Sequence, residues 1–191
     1  MPTRRAVLLS ALTATAVRPG RLLAKTAAVP PPTVLRLIGR TIEVNGKPAS
    51  VYGIRQPDGA YGIATHVGDR FRVRVENHIG KPSLIHWHGL APPWRQDGVP
   101  GISGPPIPAG GSADYDFPLA YGGTFWMHSH QGFQEQLLMS APLIIRDQRD
   151  QRDQPGRQEI VLMLEDFSFT PPAEIFANLK KGGSMPGMAR A

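Results

Sequence analysis

Histidine is the residue type whose placement in this sequence points most clearly to chemistry. The chain has six histidines, and four of them form two His-x-His pairs, His86-Trp87-His88 and His128-Ser129-His130. Neutral imidazole is a common metal ligand and suits copper and zinc in particular. Two such pairs in one short stretch of chain therefore predict a metal site.

Both pairs lie in segments whose composition is typical of β-strands. On a strand, residues i and i+2 project to the same face, so each pair points two imidazoles in one direction, and Trp87 points to the opposite face, where it can join a core. A single His-x-His in a strand is often no more than two surface or core histidines. Two pairs, each flanked by glycine and aromatic residues, favour a site that holds one ion or forms half the wall of a larger cluster.

Other kinds of chemistry find little support in the sequence. There is no cysteine, which excludes disulfides, thiolate zinc sites, iron–sulfur clusters and a cysteine nucleophile within these 191 residues. His66 and His78 lie outside the pairs and are interpreted as ordinary loop or strand-end residues. No phosphate-binding glycine loop, nucleophile elbow or zinc-protease motif is present.

The formal net charge of +6 is concentrated at the N-terminus. Residues 1–25 hold five basic residues and no acidic one, and the remainder is nearly balanced, so the basic composition does not indicate nucleic-acid binding. Arg4-Arg5 followed by a modest apolar stretch predicts a twin-arginine export signal in residues 1–28, and hence a periplasmic location. The sequence contains no run of about eighteen apolar residues, so no membrane span is predicted.

Short apolar segments separated by Gly- and Pro-rich turns predict an all-β fold. Strands are predicted at residues 33–38, 41–44, 51–54, 69–76, 83–88, 113–117, 123–128 and 141–146, with a helical turn within residues 134–139. We expect one domain over residues 33–147, a polar linker over 148–157, and the incomplete start of a second domain over 158–191. That last part is predicted to contain a strand at 159–164 and a helix at 172–181.

Three stretches resemble the copper motifs of the multicopper oxidase family, in the family's order. They are His86-Trp87-His88-Gly89, Asp97-Gly98-Val99-Pro100-Gly101 and Gly123-Thr124-Phe125-Trp126-Met127-His128-Ser129-His130. Residues 132–136 (Gly-Phe-Gln-Glu-Gln) and 142–145 (Pro-Leu-Ile-Ile) are similar to the periplasmic copper-resistance branch of that family. The resemblance runs from about Thr33 to the end of the sequence.

The resemblance implies a cupredoxin fold, a Greek-key β-sandwich or barrel, as the first of three such domains. In the family, eight histidines hold a trinuclear copper cluster at which dioxygen is reduced to water. Carried over by motif, His86 is implied to bind the type 2 copper, and His88, His128 and His130 the type 3 pair. Asp97 is implied to be the catalytic carboxylate that hydrogen-bonds solvent at the cluster and helps to deliver protons.

One part of the family pattern is missing from the sequence. The His-Cys-His motif is absent, so these residues supply half of the cluster ligands and no type 1 copper, whose defining ligand is a thiolate. We therefore expect a truncated, laccase-like oxidase, inactive on its own, whose missing C-terminal cupredoxin domain or a second chain completes the oxidation of phenols or cuprous ion. The alternative is a non-catalytic periplasmic module that stores or delivers copper.

Overall fold

The computed structural model describes residues 30–147 and 158–182. The export signal predicted for residues 1–28, the linker predicted for 148–157 and the end of the predicted second domain, residues 183–191, lie outside the described residues. Apart from Pro30, the described residues belong to one compact unit, Pro31–Ala191. No helix among the described residues is long and apolar enough to cross a membrane.

Strands dominate the described residues, as the sequence predicts. They are β1 (Thr33–Val44), β2 (Lys47–Arg55), β3 (Ile63–His66), β4 (Arg70–Asn77), β5 (Ile85–His88), β6 (Ser112–Pro118), β7 (Gly123–Ser129) and β8 (Ser140–Arg146). Short 3-10 helices span Trp94–Gln96 and Glu135–Leu137, and an α-helix, α1, spans Pro172–Lys180. The all-β class is confirmed.

The strands form two four-stranded sheets. The first has the order β2-β1-β4-β6 and the second the order β3-β8-β7-β5. Most neighbours are antiparallel, but β1 pairs with β4 and β3 with β8 in parallel. The two strands that carry the His-x-His motifs, β5 and β7, are direct neighbours in the second sheet, although β6, which lies between them in sequence, belongs to the first.

Alternation along β4 illustrates how the sequence builds this sandwich. Its inward residues are buried and apolar: Phe71, Val73 and Val75. The arginines between them project outward and pair with carboxylates of β6, so Arg74 Nε lies 2.7 Å from Asp114 Oδ1, and Arg70 pairs with Asp116. Such exposed pairs contribute little to stability, so β4 is held mainly by its buried face.

An aromatic group occupies the centre of the core. The ring of Phe71 lies 4.8 Å from Trp87 and 4.7 Å from Phe117, and Trp87 lies 4.9 Å from Tyr115, measured between ring centroids. Trp87 is completely buried, which confirms the prediction that it points away from the histidines on either side of it. The histidine strand β5 is therefore anchored to the core through this indole.

The structure corrects some predicted strand boundaries. The stretches at 33–38 and 41–44 form one strand, because β1 pairs with β2 along residues 36–44 and with β4 along residues 33–37. The Asn45-Gly46 turn that follows has positive φ at both positions, 51° and 75°, as a tight hairpin of this kind requires. Strand β3 was not predicted, because it has only four residues between glycine-containing turns.

The strand predicted at residues 159–164 is wrong, whereas the predicted helix is confirmed as α1. Residues 158–168 have no strand partner, and Leu164 is 92% exposed. An apolar segment becomes a strand only when another strand completes its hydrogen bonds, so the pattern alone was insufficient. In this segment the Glu165 carboxylate accepts a hydrogen bond from Ser140, and in α1 the ring of Phe176 lies 5.5 Å from that of Phe133.

Candidate metal centre

The pairing of β5 with β7 brings the two histidine pairs together. His86 lies directly opposite His128, and Trp87 lies opposite Met127 in the core. His88 projects to the same face as His86, as the two-residue spacing predicts. His130 follows the end of β7, and its backbone N–H donates a hydrogen bond to the carbonyl oxygen of Leu84 at 3.1 Å, which keeps it beside β5.

The four imidazoles form one cluster. The ring centroid of His130 lies 4.7 Å from that of His86 and 4.8 Å from that of His128. Centroid distances of 5.4 to 5.6 Å separate three further pairs: His86 and His88, His86 and His128, and His88 and His128. One ligand nitrogen from each of His86, His88 and His128 lies within 4.8 Å of the other two. The predicted convergence of the two pairs is therefore present in the structure.

One pair of nitrogens has the spacing that a shared ion requires. The Nδ1 atom of His88 lies 3.3 Å from the Nε2 atom of His128. Two imidazole nitrogens that bind one tetrahedral ion at about 2.0–2.1 Å from it lie roughly 3.3 Å apart. The spread of 4.8 Å across His86, His88 and His128 is wide for a single ion, and suits ligands that are divided among adjacent ions.

Hydrogen bonding fixes which nitrogen of His86 can bind a metal. Its Nδ1 atom lies 2.7 Å from the backbone carbonyl oxygen of Asp97. Because a carbonyl can only accept, the proton of the ring lies on Nδ1, and Nε2 keeps its lone pair for a metal. The carboxylate of Asp97 also lies near this ring, with Oδ1 at 3.3 Å from Nδ1.

The loop that carries Asp97 is bound tightly to the sandwich. The indole N–H of Trp87 donates to the carbonyl oxygen of Gln96 at 2.9 Å. Trp87, which separates the two histidines of β5, therefore also fixes the residue before Asp97. The Gln96 side chain accepts a hydrogen bond from the backbone N–H of Asp116 on β6 at 2.7 Å. Asp97 is thus placed by main-chain and side-chain contacts that the sequence motif does not reveal.

Gly98 allows this loop to lie directly against β5. Its φ is +75°, and a Cβ atom there would lie 1.8 Å from the carbonyl oxygen of Ile85 and 2.8 Å from the backbone nitrogen of His86. We expect Gly98→Ala to lower the free energy of unfolding by about 2–3 kcal/mol, since it adds a backbone clash to the strain of a positive φ. Chemical denaturation of the two proteins measures the difference.

Gly101 provides the matched control, because it has a similar φ of +73° but open space where its Cβ would lie. Gly101→Ala is expected to lose only the conformational part, about 1–2 kcal/mol. Equal losses for the two variants would contradict the claim that the loop packs directly on the histidine strand.

The environment favours neutral imidazoles. Burial lowers the pKa of His128 to about 4, with further lowering from the nearby His130 and His86. Burial also lowers the pKa of His130, again with a contribution from His86. Neutral imidazole is the form that binds a metal, so both rings are ready to do so at pH 7.

Two residues after the second pair were not identified as important from the sequence. The Gln134 side chain is buried, and its Oε1 atom accepts hydrogen bonds from Ser83 Oγ and Ser129 Oγ, both at 2.7 Å. Its Nε2 atom donates to the carbonyl oxygen of Pro82 at 2.8 Å. Ser83 precedes β5 and Ser129 lies between two histidines, so Gln134 ties the two histidine segments together.

The second such residue is Glu135, whose Oε2 atom lies 3.1 Å from the Nδ1 atom of His128. The relative orientation of the two groups does not meet hydrogen-bond geometry, and this buried nitrogen has no hydrogen-bond partner. The ring of His128 also stacks on the ring of Trp126, at a centroid distance of 4.0 Å. Trp126 and Glu135 lie two and seven positions from His128 in the sequence. The similarity of residues 132–136 to the copper-resistance branch is the sequence signal that includes Glu135, but it does not specify this contact.

The remaining described histidines lie away from the cluster, as expected. His66 is exposed and lies 3.7 Å from Asp69, and His78 is exposed and lies 3.2 Å from Glu76. Each is a strand-end residue near a carboxylate. Neither is among the residues brought together at the candidate metal centre.

Comparison with known proteins agrees with this fold. The model of the family described as multicopper oxidase matches residues 40–150, more than half of the sequence, and the chain belongs to this family. The resemblance to that family that the sequence motifs indicate is thereby confirmed. The fold is the cupredoxin-like fold of multicopper oxidase structures.

Individual relatives include both bacterial and fungal proteins. The chain is 40% identical over 114 residues to a copper resistance protein A homolog of Pseudomonas syringae pv. tomato, which covers 60% of this chain and 19% of that protein. It is 37% identical to laccase-1 of Cryptococcus neoformans var. grubii, covering 55% of this chain and 18% of that protein. The crystal structure of a multi-copper oxidase from Pseudomonas thermotolerans superposes with a TM-score of 0.57 at 31% identity, covering 63% of this chain and 30% of that one. The chain therefore spans about a fifth of the length of these curated relatives.

Proposed function

We propose that this chain supplies the N-terminal, copper-binding portion of a multicopper oxidase and contributes half of the ligands of a trinuclear copper site. The convergence of two His-x-His pairs at the junction of β5 and β7 carries the proposal. Family membership supports it, as does the pKa of His128, lowered to about 4, which keeps that imidazole neutral.

The proposed ligand assignment follows the motifs and agrees with the spacing. His88 and His128 share one type 3 ion, His130 serves the other, and His86 binds the type 2 ion through Nε2. The 3.3 Å separation between His88 Nδ1 and His128 Nε2 supports the shared ion, and the hydrogen bond from His86 Nδ1 to Asp97 supports the Nε2 assignment.

When bound, a copper centre of this kind supplies the reduction of dioxygen to water, driven by electrons from phenols or cuprous ion. In this chain, the four histidines hold and orient the ions. Asp97 is the proposed catalytic carboxylate: its side chain is partly exposed and lies beside His86, where it can hold a proton between solvent and the site.

The other half of the proposed site would come from outside these residues. A type 1 copper requires a thiolate, and this sequence has no cysteine. We propose that a further cupredoxin domain, in a longer protein or in a partner chain, supplies that centre and the remaining ligands. On this view residues 33–147 form the first domain, and residues 158–191, beyond the linker at 148–157, begin a second.

We further propose that the protein acts in the periplasm and that residues 1–28 direct it there by the twin-arginine route. The paired arginines and the short apolar stretch after them support this location. The similarity to copper resistance protein A homologs is consistent with a role in handling copper.

A second candidate function is copper storage or delivery without turnover. The absence of cysteine favours it, because the four histidines on their own provide metal binding but no route for electrons from a reducing substrate.

Copper binding and oxygen consumption by the full 191-residue chain test these proposals. We expect His88→Ala/His128→Ala to abolish tight copper binding, because it removes two facing ligands from one ion. The control, His66→Ala/His78→Ala, removes two exposed histidines outside the cluster and should bind as the unsubstituted chain does. Equal binding by both variants would exclude the proposed site.

Oxygen uptake with a phenolic substrate distinguishes the two candidate functions. The oxidase proposal is supported if the chain alone binds copper through its histidines without consuming oxygen, and oxygen is consumed once a domain carrying a His-Cys-His motif is added. Binding without turnover in both cases favours storage or delivery.

A further inference from the structure

We infer that Glu135 is a positioning residue for the metal centre. Its carboxylate accepts a hydrogen bond from the Nδ1–H group of His128, which keeps the proton on Nδ1 and leaves the Nε2 atom of the same ring free for copper. This inference rests on the proposed function, because it concerns how the chain prepares one of its proposed copper ligands. Acceptors of this kind behind a ligand histidine fix its tautomer and orientation in metalloproteins generally.

The two nitrogens of His128 face different partners. Nε2 lies 3.3 Å from Nδ1 of His88, within the cluster, and Nδ1 lies 3.1 Å from Oε2 of Glu135. A neutral imidazole carries one proton, and the nitrogen that binds a metal must be the one without it. If Nε2 faces the metal, the proton lies on Nδ1 and points towards Glu135.

That proton needs an acceptor, because His128 is only 4% exposed. A buried donor without a partner costs about 1–3 kcal/mol. The Glu135 carboxylate is at the right distance but not at the right angle. The proposal requires a rotation about the last side-chain bond of Glu135, which has broad preferences, to bring an oxygen into line with the N–H.

The backbone holds Glu135 at this position. It follows the buried Gln134 and begins a 3-10 helix that is closed by a hydrogen bond of 2.8 Å from Leu138 N–H to the Glu135 carbonyl. The N–H of Met139 donates to the carbonyl of Gln134 at 3.0 Å. Since Gln134 is tied to both histidine segments, the carboxylate next to it is placed relative to the same segments.

Stacking on Trp126 does not by itself determine which nitrogen of His128 faces the cluster. The two rings are nearly parallel, with an interplanar angle of 13°. A half-turn of the imidazole about its bond to Cβ preserves that stacking but moves Nδ1 away from Glu135 and Nε2 away from His88. Nε2 lies within hydrogen-bond distance of His88 Nδ1, but an imidazole nitrogen donates or accepts according to its tautomer, whereas the ionised carboxylate of Glu135 can only accept. Glu135 is therefore the group that favours a proton on the Nδ1 side of the ring.

The test measures the tautomer directly in the metal-free, full-length chain. With 15N-labelled histidine at pH 8, long-range 1H–15N correlations identify which nitrogen carries the proton. We expect His128 to be protonated at Nδ1 in the unsubstituted chain, to lose this preference in Glu135→Leu, and to keep it in Glu135→Gln, whose amide oxygen can still accept. Glu43→Leu, which removes an exposed glutamate from β1, is the matched control and should change nothing.

Copper affinity, measured by competition with a chelator, provides the second readout. We expect Glu135→Leu to bind copper about 10- to 100-fold more weakly, with Glu135→Gln close to the unsubstituted chain. An Nε2-protonated His128 in the unsubstituted chain, or an unchanged tautomer in Glu135→Leu, overturns the inference while leaving histidine-dependent copper binding intact. Loss of histidine-dependent copper binding altogether overturns the proposed function instead, whatever the tautomer.

Discussion

Replacing Gln134 with leucine is expected to lower the free energy of unfolding by about 3–5 kcal/mol. The substitution leaves the hydroxyls of Ser83 and Ser129 without the acceptor that each now has at 2.7 Å, and both serines are buried. Each buried polar group left without a partner costs about 1–3 kcal/mol, and the carbonyl of Pro82 loses its donor as well. Denaturant unfolding measures the change, together with a melting temperature lowered by roughly 10 °C.

Gln136 is the matched control for this substitution. It lies two positions further along, within the 3-10 helix that follows Gln134, and is exposed, so Gln136→Leu should change the free energy of unfolding by less than about 0.5 kcal/mol. A Gln134→Leu protein as stable as the Gln136→Leu protein would mean that the serines find other partners, and that Gln134 does not hold the two histidine segments together.

The metal-free protein is expected to lose roughly 3 kcal/mol of stability as the pH falls from about 7 to about 4. Burial lowers the pKa of His128 to about 4 in the folded state, whereas an unfolded histidine titrates near 6.5. Between these values the unfolded chain binds the proton and the folded chain does not, so stability is fully present above about 6.5 and falls as the pH decreases. Each pKa unit corresponds to about 1.36 kcal/mol.

Unfolding measured at several pH values in the presence of a chelator checks this expectation. His128→Gln should make the free energy of unfolding depend less on pH between 6.5 and 4, because it removes the group responsible for most of that dependence. His66→Gln, a change at an exposed histidine, should leave the dependence as it is. The explanation fails if the curves for His128→Gln and the unsubstituted chain run parallel through this range.

The local signals in this sequence were sufficient to predict the class of fold and the composition of the histidine cluster. Alternation in β4 follows directly from a two-residue period, and the same period places His86 and His88 on one face. The Asn45-Gly46 turn is specified by residues that tolerate positive φ. Each of these features depends on neighbours within a few positions, which is the range over which a sequence pattern is informative.

Features that depend on distant partners could not be predicted in this way. Gln134 lies in a segment whose pattern indicates a helical turn and a similarity to the copper-resistance branch, yet its side chain contacts Ser83, 51 positions earlier. The contact of Glu135 with His128 depends on how the chain turns after β7. Conversely, residues 159–164 have the apolar character of a strand but no pairing partner among the described residues. The tautomer of His86 is likewise set by a carbonyl eleven positions away in the loop.

The route of the chain between β5 and β7 has a consequence for the order of folding. These strands are adjacent in the second sheet, but the chain must first pass through the 3-10 helix at Trp94–Gln96 and through β6 in the first sheet. His88 and His128 therefore meet across 40 positions of sequence, and contacts at such separations are costly in chain entropy until the intervening elements are in place. We therefore expect the imidazole cluster to form late in folding, after the intervening elements are in place.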